Sequence, residues 1–228
     1  RKLPGFEQKD AAYGAALKYL IGECESRLHG AKGADPNFKE ADTRRGNLTA
    51  LHYAALYGYL PVIDKLLASG ANVDLRASSQ REKMNFYEER CSCTPLLLAV
   101  QAPSKQIGGE ENRMKVVEKL VDVGKADVNA ENDEGWSVLN FAVIEGNASV
   151  VEKLVAAGAK LQAANREGNT ALHVAALCGR LEVAEKLHAL GADKTVRNSR
   201  NQSPARCAGQ AEENSPAQHG PPGAAYGE

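Results

Sequence analysis

Thr170, His173 and Cys178 fall within nine positions of the stretch GNTALHVAALCGR, residues 168–180. A hydroxyl and a thiol are possible nucleophiles, and an imidazole three or five residues away could serve either as base. Cys91-Ser92-Cys93 is a second candidate, since paired thiolates bind soft metals. A structural zinc site needs four nitrogen or sulfur ligands, and no second Cys or His pair has suitable spacing, so this pair reads as chance proximity. The acidic pairs Glu88-Glu89 and Glu110-Glu111 read as solvated loop charge. No phosphate loop, dinucleotide fingerprint or HExxH stretch occurs. A catalytic reading therefore has no constellation of partners behind it, and no cofactor or metal is expected.

The string around His173 changes meaning beside the rest of the chain. Thr49-Ala50-Leu51-His52 repeats Thr170-Ala171-Leu172-His173; Thr94-Pro95-Leu96-Leu97 matches with Leu for His, and Ser137-Val138-Leu139-Asn140 with Asn. Ser203-Pro204-Ala205 opens a last, truncated copy. From Ser137 to Thr170 is 33 residues, and from Thr170 to Ser203 is 33 again. A Gly-Ala signature keeps step: Gly70, Gly158 and Gly191 each lie 21 residues after the preceding Thr or Ser. Lys125-Ala126-Asp127 and Gly33-Ala34-Asp35 complete the set. Two signatures in fixed phase mark an array of like units.

One unit is readable physically. The Thr or Ser hydroxyl suits a helix N-cap and Pro suits the first helical turn. A short first helix of small residues follows, ended by Gly58, Gly146 or Gly179. LEVAEKLHAL then carries Leu181, Val183, Ala184, Leu187 and Leu190 at helical period, closed by Gly191. A polar, Gly-punctuated turn leads to the next cap. A single unit cannot bury its own apolar face, so neighbours must stack.

This pattern resembles the ankyrin repeat family over about residues 33–210. The resemblance implies an all-α solenoid of helix-turn-helix units with β-turn or hairpin fingers. Residues 1–33 are expected to be degenerate N-terminal capping helices, with Ala12, Ala16, Leu20, Cys24 and Leu28 on one face. The repeat domain spans 34–210, with four full repeats near 46–78, 91–133, 134–166 and 167–199 and a C-terminal half repeat at 200–210. Residues 211–228, rich in Pro, Gly, Ala and Gln, are expected to be a disordered tail.

The period breaks twice. Thr49 to Thr94 is 45 residues, and the extra sequence, about 75–90, contains Phe86 and Tyr87. It is either a solvated loop or a finger that touches a partner. Thr94 to Ser137 is 43, with the extra residues between the two helices of that unit, about 101–114. A solvated loop is expected there. Lys125 takes the place of the usual Gly in the same unit.

In the family, partners bind the concave face built from hairpin tips and first helices. Carried over residue by residue, the positions just before each cap are Leu48, Cys93, Trp136 and Asn169. Seven and eight residues after each cap lie Leu56 and Tyr57, Gln101 and Ala102, Ile144 and Glu145, Leu177 and Cys178. Arg45, Glu134, Arg166 and Glu167 are tip positions. The resemblance implies that these face outward. Exposed apolar side chains with aromatic anchors suit a protein interface, although Trp136 could instead pack on a neighbouring hairpin. The resemblance makes His52 and His173 structural braces. Tyr53 and Phe141 read as core.

Composition narrows the class. Lys and Arg number 28 against 29 Asp and Glu, which gives no global attraction to nucleic acid or anionic membrane. Aromatics are 5% of a chain that is 43% hydrophobic, so the core must be Ala, Leu and Val. No apolar run reaches membrane-spanning length. Five cysteines, an odd number without framework spacing, suggest reduced thiols in the cytoplasm or nucleus. The sequons at Asn47, Asn147 and Asn201 then carry no meaning. The absence of an initial Met suggests a fragment. The expected function is non-catalytic binding of one or more proteins by a monomer, as scaffold, adaptor or inhibitor. The alternatives are a targeting or regulatory segment of a larger enzyme, and a structural spacer.

Overall fold

The computed structural model describes residues 35–38, 48–79 and 91–213. The first unit holds α1 (Ala50–Tyr57) and α2 (Leu60–Ala68). An antiparallel ribbon follows, β1 (Ala77–Ser79) against β2 (Cys91–Cys93), pairing Ala77 with Cys93 and Ser79 with Cys91. The second unit has α3 (Pro95–Gln101), α4 (Ser104–Ile107) and α5 (Glu110–Glu118), which runs on through a wider π turn at Lys119–Val123. Then come α6 (Val138–Glu145) with α7 (Ala148–Ala156), α8 (Ala171–Leu177) with α9 (Leu181–Ala189), and α10 (Pro204–Glu213). The first helices α1, α3, α6, α8 and α10 pack in succession; α2, the π turn with α5, α7 and α9 form a second layer. This is an all-α solenoid of stacked helix-turn-helix units, as the resemblance implies.

Each first helix starts at an extended Thr or Ser. Thr94 Oγ1 accepts from Leu97 N at 3.3 Å and Ser137 Oγ from Asn140 N at 3.2 Å. The Leu two residues after the cap goes to the core each time: Leu51, Leu96, Leu139 and Leu172 are all buried. Leu66, Leu120, Leu154 and Leu187 do the same in the second layer. Full burial of one such side chain contributes about 1.5–3 kcal/mol, repeated unit after unit. Alanines between them let the helices approach closely.

The turns are built from the chain's own Asn and Asp. Asn132 Oδ1 accepts from Glu134 N (3.0 Å) and Trp136 N (2.9 Å). Asn165 does the same for Glu167 and Asn169, and Asn198 for Arg200 and Gln202. A second set crosses between units. Asn37 Oδ1 accepts from Asn72 N (2.6 Å), Asp74 Oδ1 from Asp127 N (2.8 Å), and Asn129 Oδ1 from Lys160 N (2.9 Å). Lys125 keeps the left-handed backbone of the glycine it replaces, φ +58°, a conformation uncommon for a side-chain-bearing residue.

The second insertion overturns the expectation of a solvated loop. It folds as α4 and the start of α5, with Ile107 and Arg113 fully buried. Arg113 donates through Nη1 to Val100 O and through Nη2 to Ala102 O (2.6 Å) and Ser104 Oγ (3.2 Å). The reason is local: the last carbonyls of α3 have no partner within the helix, and a guanidinium fork supplies donors to them. Glu110, read from sequence as solvated charge, accepts from Ser104 and Asn147 and pairs with Arg113 Nε at 3.3 Å. Asn112 Nδ2 donates to Gly58 O (2.9 Å) and Ile107 O (2.6 Å). Gly58 has φ +72°, and a Cβ there would collide with Asn112 Nδ2, so the insertion seats against a glycine. The longer insertion, including Phe86 and Tyr87, falls largely outside the described residues, as do residues 1–34, residues 39–47 with the tip position Arg45, and residues 214–228.

Candidate functional site

The suspected nucleophile–base pairs are real contacts with no room for a substrate. Thr170 Oγ1 lies 2.9 Å from His173 Nδ1, and Thr49 Oγ1 lies 2.7 Å from His52 Nδ1. The cap's backbone N–H also points at that nitrogen, at 3.1 Å for Thr49 and 3.3 Å for Thr170. Nδ1 therefore accepts, and the ring proton sits on Nε2. Nε2 then donates across the unit boundary: His52 to Cys93 O (3.1 Å) and His173 to Gln202 O (3.0 Å). Both carbonyls belong to the residue before the next cap. Both rings are fully buried, as are Thr49 and Thr170. Burial pushes the Cys178 thiol up, although the nearby Arg180 pulls the other way, so it lacks the lowered pKa of a reactive thiolate. No group of three or more metal-ligating residues occurs among the described residues.

The row carried over from the resemblance divides. Leu177 is 40% exposed. Tyr57, Trp136, Ile144 and Cys178 are half-buried, as are Leu48 and Gln101. Tyr57 stacks on Tyr59, ring centroids 6.2 Å apart at 28°. Trp136 tilts over Phe141, 6.2 Å at 41°, so one part of the indole lies on the first helix and the rest meets solvent. Arg166 and Glu145 are exposed. Although Glu145 is exposed as a residue, partial desolvation of its carboxyl raises it above its ordinary range, and Arg113 and Arg180 partly offset this.

Asn169, Leu56, Cys93 and Ala102 do not face outward. Asn169 is 2% exposed; its Nδ2 donates to Glu167 Oε2 (3.0 Å) and its Oδ1 accepts from Asn198 Nδ2 (2.8 Å). It lies under the next hairpin because a short amide there completes the ladder of turn residues. Leu56 is 9% exposed and belongs to the core. Cys93 packs in the ribbon, and Ala102 lies beneath the Arg113 clamp. Tyr53 and Phe141 are buried.

Sequence reasoning passed over the hairpin carboxylates Glu131 and Asp133. Their signal was present as composition: from Ala126 to Glu152 there are six acidic residues and no Lys or Arg. Hairpins stack along this edge, with Arg166 N donating to Glu134 O (3.4 Å) and Ser199 N to Glu167 O (2.9 Å).

Comparison with known proteins agrees with this architecture. Residues 108–198 match the family described as ankyrin repeats in three copies, and residues 46–78 match a further ankyrin repeat. The chain belongs to the ankyrin repeat family, whose repeats mediate protein–protein interaction. It is 27% identical over 129 residues to an ankyrin repeat protein of Fowlpox virus (strain NVSL), covering 47% of this chain and 82% of the viral one. It is 29% identical over 124 residues to NF-kappa-B inhibitor delta of Mus musculus, covering 54% of this chain and 37% of the mouse protein. The match thus spans little more than a third of the mouse protein. No described helix is long and apolar enough to cross a membrane.

Proposed function

We infer that this chain is a non-catalytic module that holds a partner protein on the concave face made by its hairpin tips and first helices, in the cytoplasm or nucleus and as a monomer. The repeat block 34–210 is the unit that carries the face. One observation carries the reading: Tyr57, Trp136, Ile144 and Leu177 leave apolar surface partly in water while sitting on rigidly stacked elements. Burial of that surface by a partner is favourable and needs little backbone change. Likeness to a mouse protein named as an inhibitor supports inhibition by occlusion as the form this binding takes.

Affinity capture with mass spectrometry, comparing the wild type with a Tyr57→Ala/Trp136→Ala variant, tests this. The variant keeps its helical signal and loses the captured protein. Titration with that protein shows affinity weaker by about 2 kcal/mol or more. Equal affinity of the two forms for an identified partner removes this face from the site.

A further inference from the structure

Charges in the two layers are handled differently. On the second helices one lysine at each unit boundary meets an acid of the preceding unit: Lys119 with Asp64 (2.6 Å), Lys153 with Asp122 (2.6 Å), Lys186 with Glu152 (2.5 Å). Each of these boundary charges is neutralised by its neighbour. The charges of the hairpin before α6 are not. Glu131, Asp133 and Glu134 make no ion pair among the described residues. Asp133 Oδ2 accepts from Ser92 N at 3.1 Å, which orients the carboxylate and leaves its charge. The adjoining hairpin adds Glu167 and one opposing cation, Arg166, whose side chain is exposed. Over the two hairpins, four carboxylates stand against one guanidinium. The next hairpin reverses sign with Arg197 and Arg200. Glu145, at the far end of α6, faces Arg113 and Arg180 and adds little to this excess. The partly exposed indole of Trp136 sits on the acidic hairpin and tilts over Phe141 of α6, the helix that also carries the half-buried Ile144.

We propose that the Trp136 hairpin and α6 dock a basic segment of a partner protein, with an arginine or lysine over the indole and flanking apolar side chains against Ile144. The proposal rests on the protein-binding reading above and names the partner's chemistry. A cation over a partly desolvated indole is attracted to its face, and unneutralised carboxylates beside it steer a positive segment into place. Acidic partners and polyanions are turned away by the same charge. The basic hairpin beyond it gives the bound segment a direction.

Trp136 is the single tryptophan of the chain, so its emission reports this spot alone. The probe is a short peptide of arginine, leucine and serine, compared with a counterpart bearing glutamate at every arginine. The arginine peptide produces a saturating emission change that weakens as salt rises from about 50 to about 300 mM. The glutamate peptide produces none. Glu131→Gln/Glu134→Gln loses affinity about tenfold, while Asp122→Asn, in the second layer, retains it. Should the double variant shift the urea midpoint, Glu134→Gln alone gives the reading. Equal response to both peptides, or unchanged affinity in the glutamine variants, overturns the proposal. A captured partner that needs Tyr57 and Trp136 but ignores Glu131→Gln/Glu134→Gln leaves the binding face standing and removes the basic segment. Indifference to both sets of variants removes both.

Discussion

A histidine at the fourth position of a unit ties its own cap to the carbonyl that precedes the next cap. His52 and His173 do this, so each ring replaces two water-facing polar contacts with buried, directed ones. In the third unit the position holds Asn140, which is 1% exposed. Its Oδ1 takes Ser137 N (3.0 Å) and Ser137 Oγ (2.8 Å), repeating the cap half of the arrangement. Its Nδ2 has no partner among the described residues. The amide is too short to cross to the next unit, where the carbonyl of Asn169 corresponds to those of Cys93 and Gln202. That oxygen already accepts from Asn165 N at 3.0 Å, and a carbonyl has a second lone pair. Asn140→His is therefore expected to add about 1 kcal/mol of stability by completing the bridge. A raised urea midpoint is the expected reading; an unchanged or lowered midpoint would show that the interface between α6 and α8 cannot take the ring.

Elements differ in what they ask of their neighbours. A first helix closes with its own cap and glycine. The α4–α5 insertion instead depends on one cation reaching back to α3. Arg113→Ala leaves the Val100 and Ala102 carbonyls buried without donors and opens the space of the largest fully buried side chain. A loss of about 3 kcal/mol or more is expected, read as a lower chemical denaturation midpoint. A change of only a few tenths would mean that α4 detaches at little cost. The same clamp reaches both neighbours, through Asn112 to Gly58 of the first unit and through Glu110 to Asn147 of the third. The insertion is thus a brace across three units.

Across the whole molecule, each unit touches mainly the next, and the inter-unit contacts are of three kinds: apolar stacking of the helices, the histidine bridges, and the Asn and Asp bonds between turns. The lysine–acid pairs of the second layer are largely solvent-exposed and contribute little individually. Cooperativity therefore rests on the buried contacts. Leu139, 1% exposed at the centre of the stack, tests this. Leu139→Ala is expected to lower stability by about 2–5 kcal/mol while calorimetry still shows one transition, moved as a whole to lower temperature. Two separated transitions would show that the repeats unfold independently.

Much of this architecture lies in the amino-acid order alone. The cap hydroxyls at Thr49, Thr94, Ser137 and Thr170, the glycines behind them and the 33-residue spacing determine where helices begin, end and repeat, because caps and turns act within a few residues. The buried leucines follow from the same local period. Tertiary structure decided the rest. Asn169 and Leu56 occupy positions of the outward row, yet neighbouring hairpins and helices cover them, and local pattern carries no record of which neighbour arrives. Arg113 reads as a surface cation until α3 presents two unpaired carbonyls to it. Lys119 and Lys153 of the second layer cancel against acids 55 and 31 residues earlier, while the carboxylates beside Trp136 do not. Which charges remain for a partner is a sum over contacts between units, and only the folded stack performs that sum.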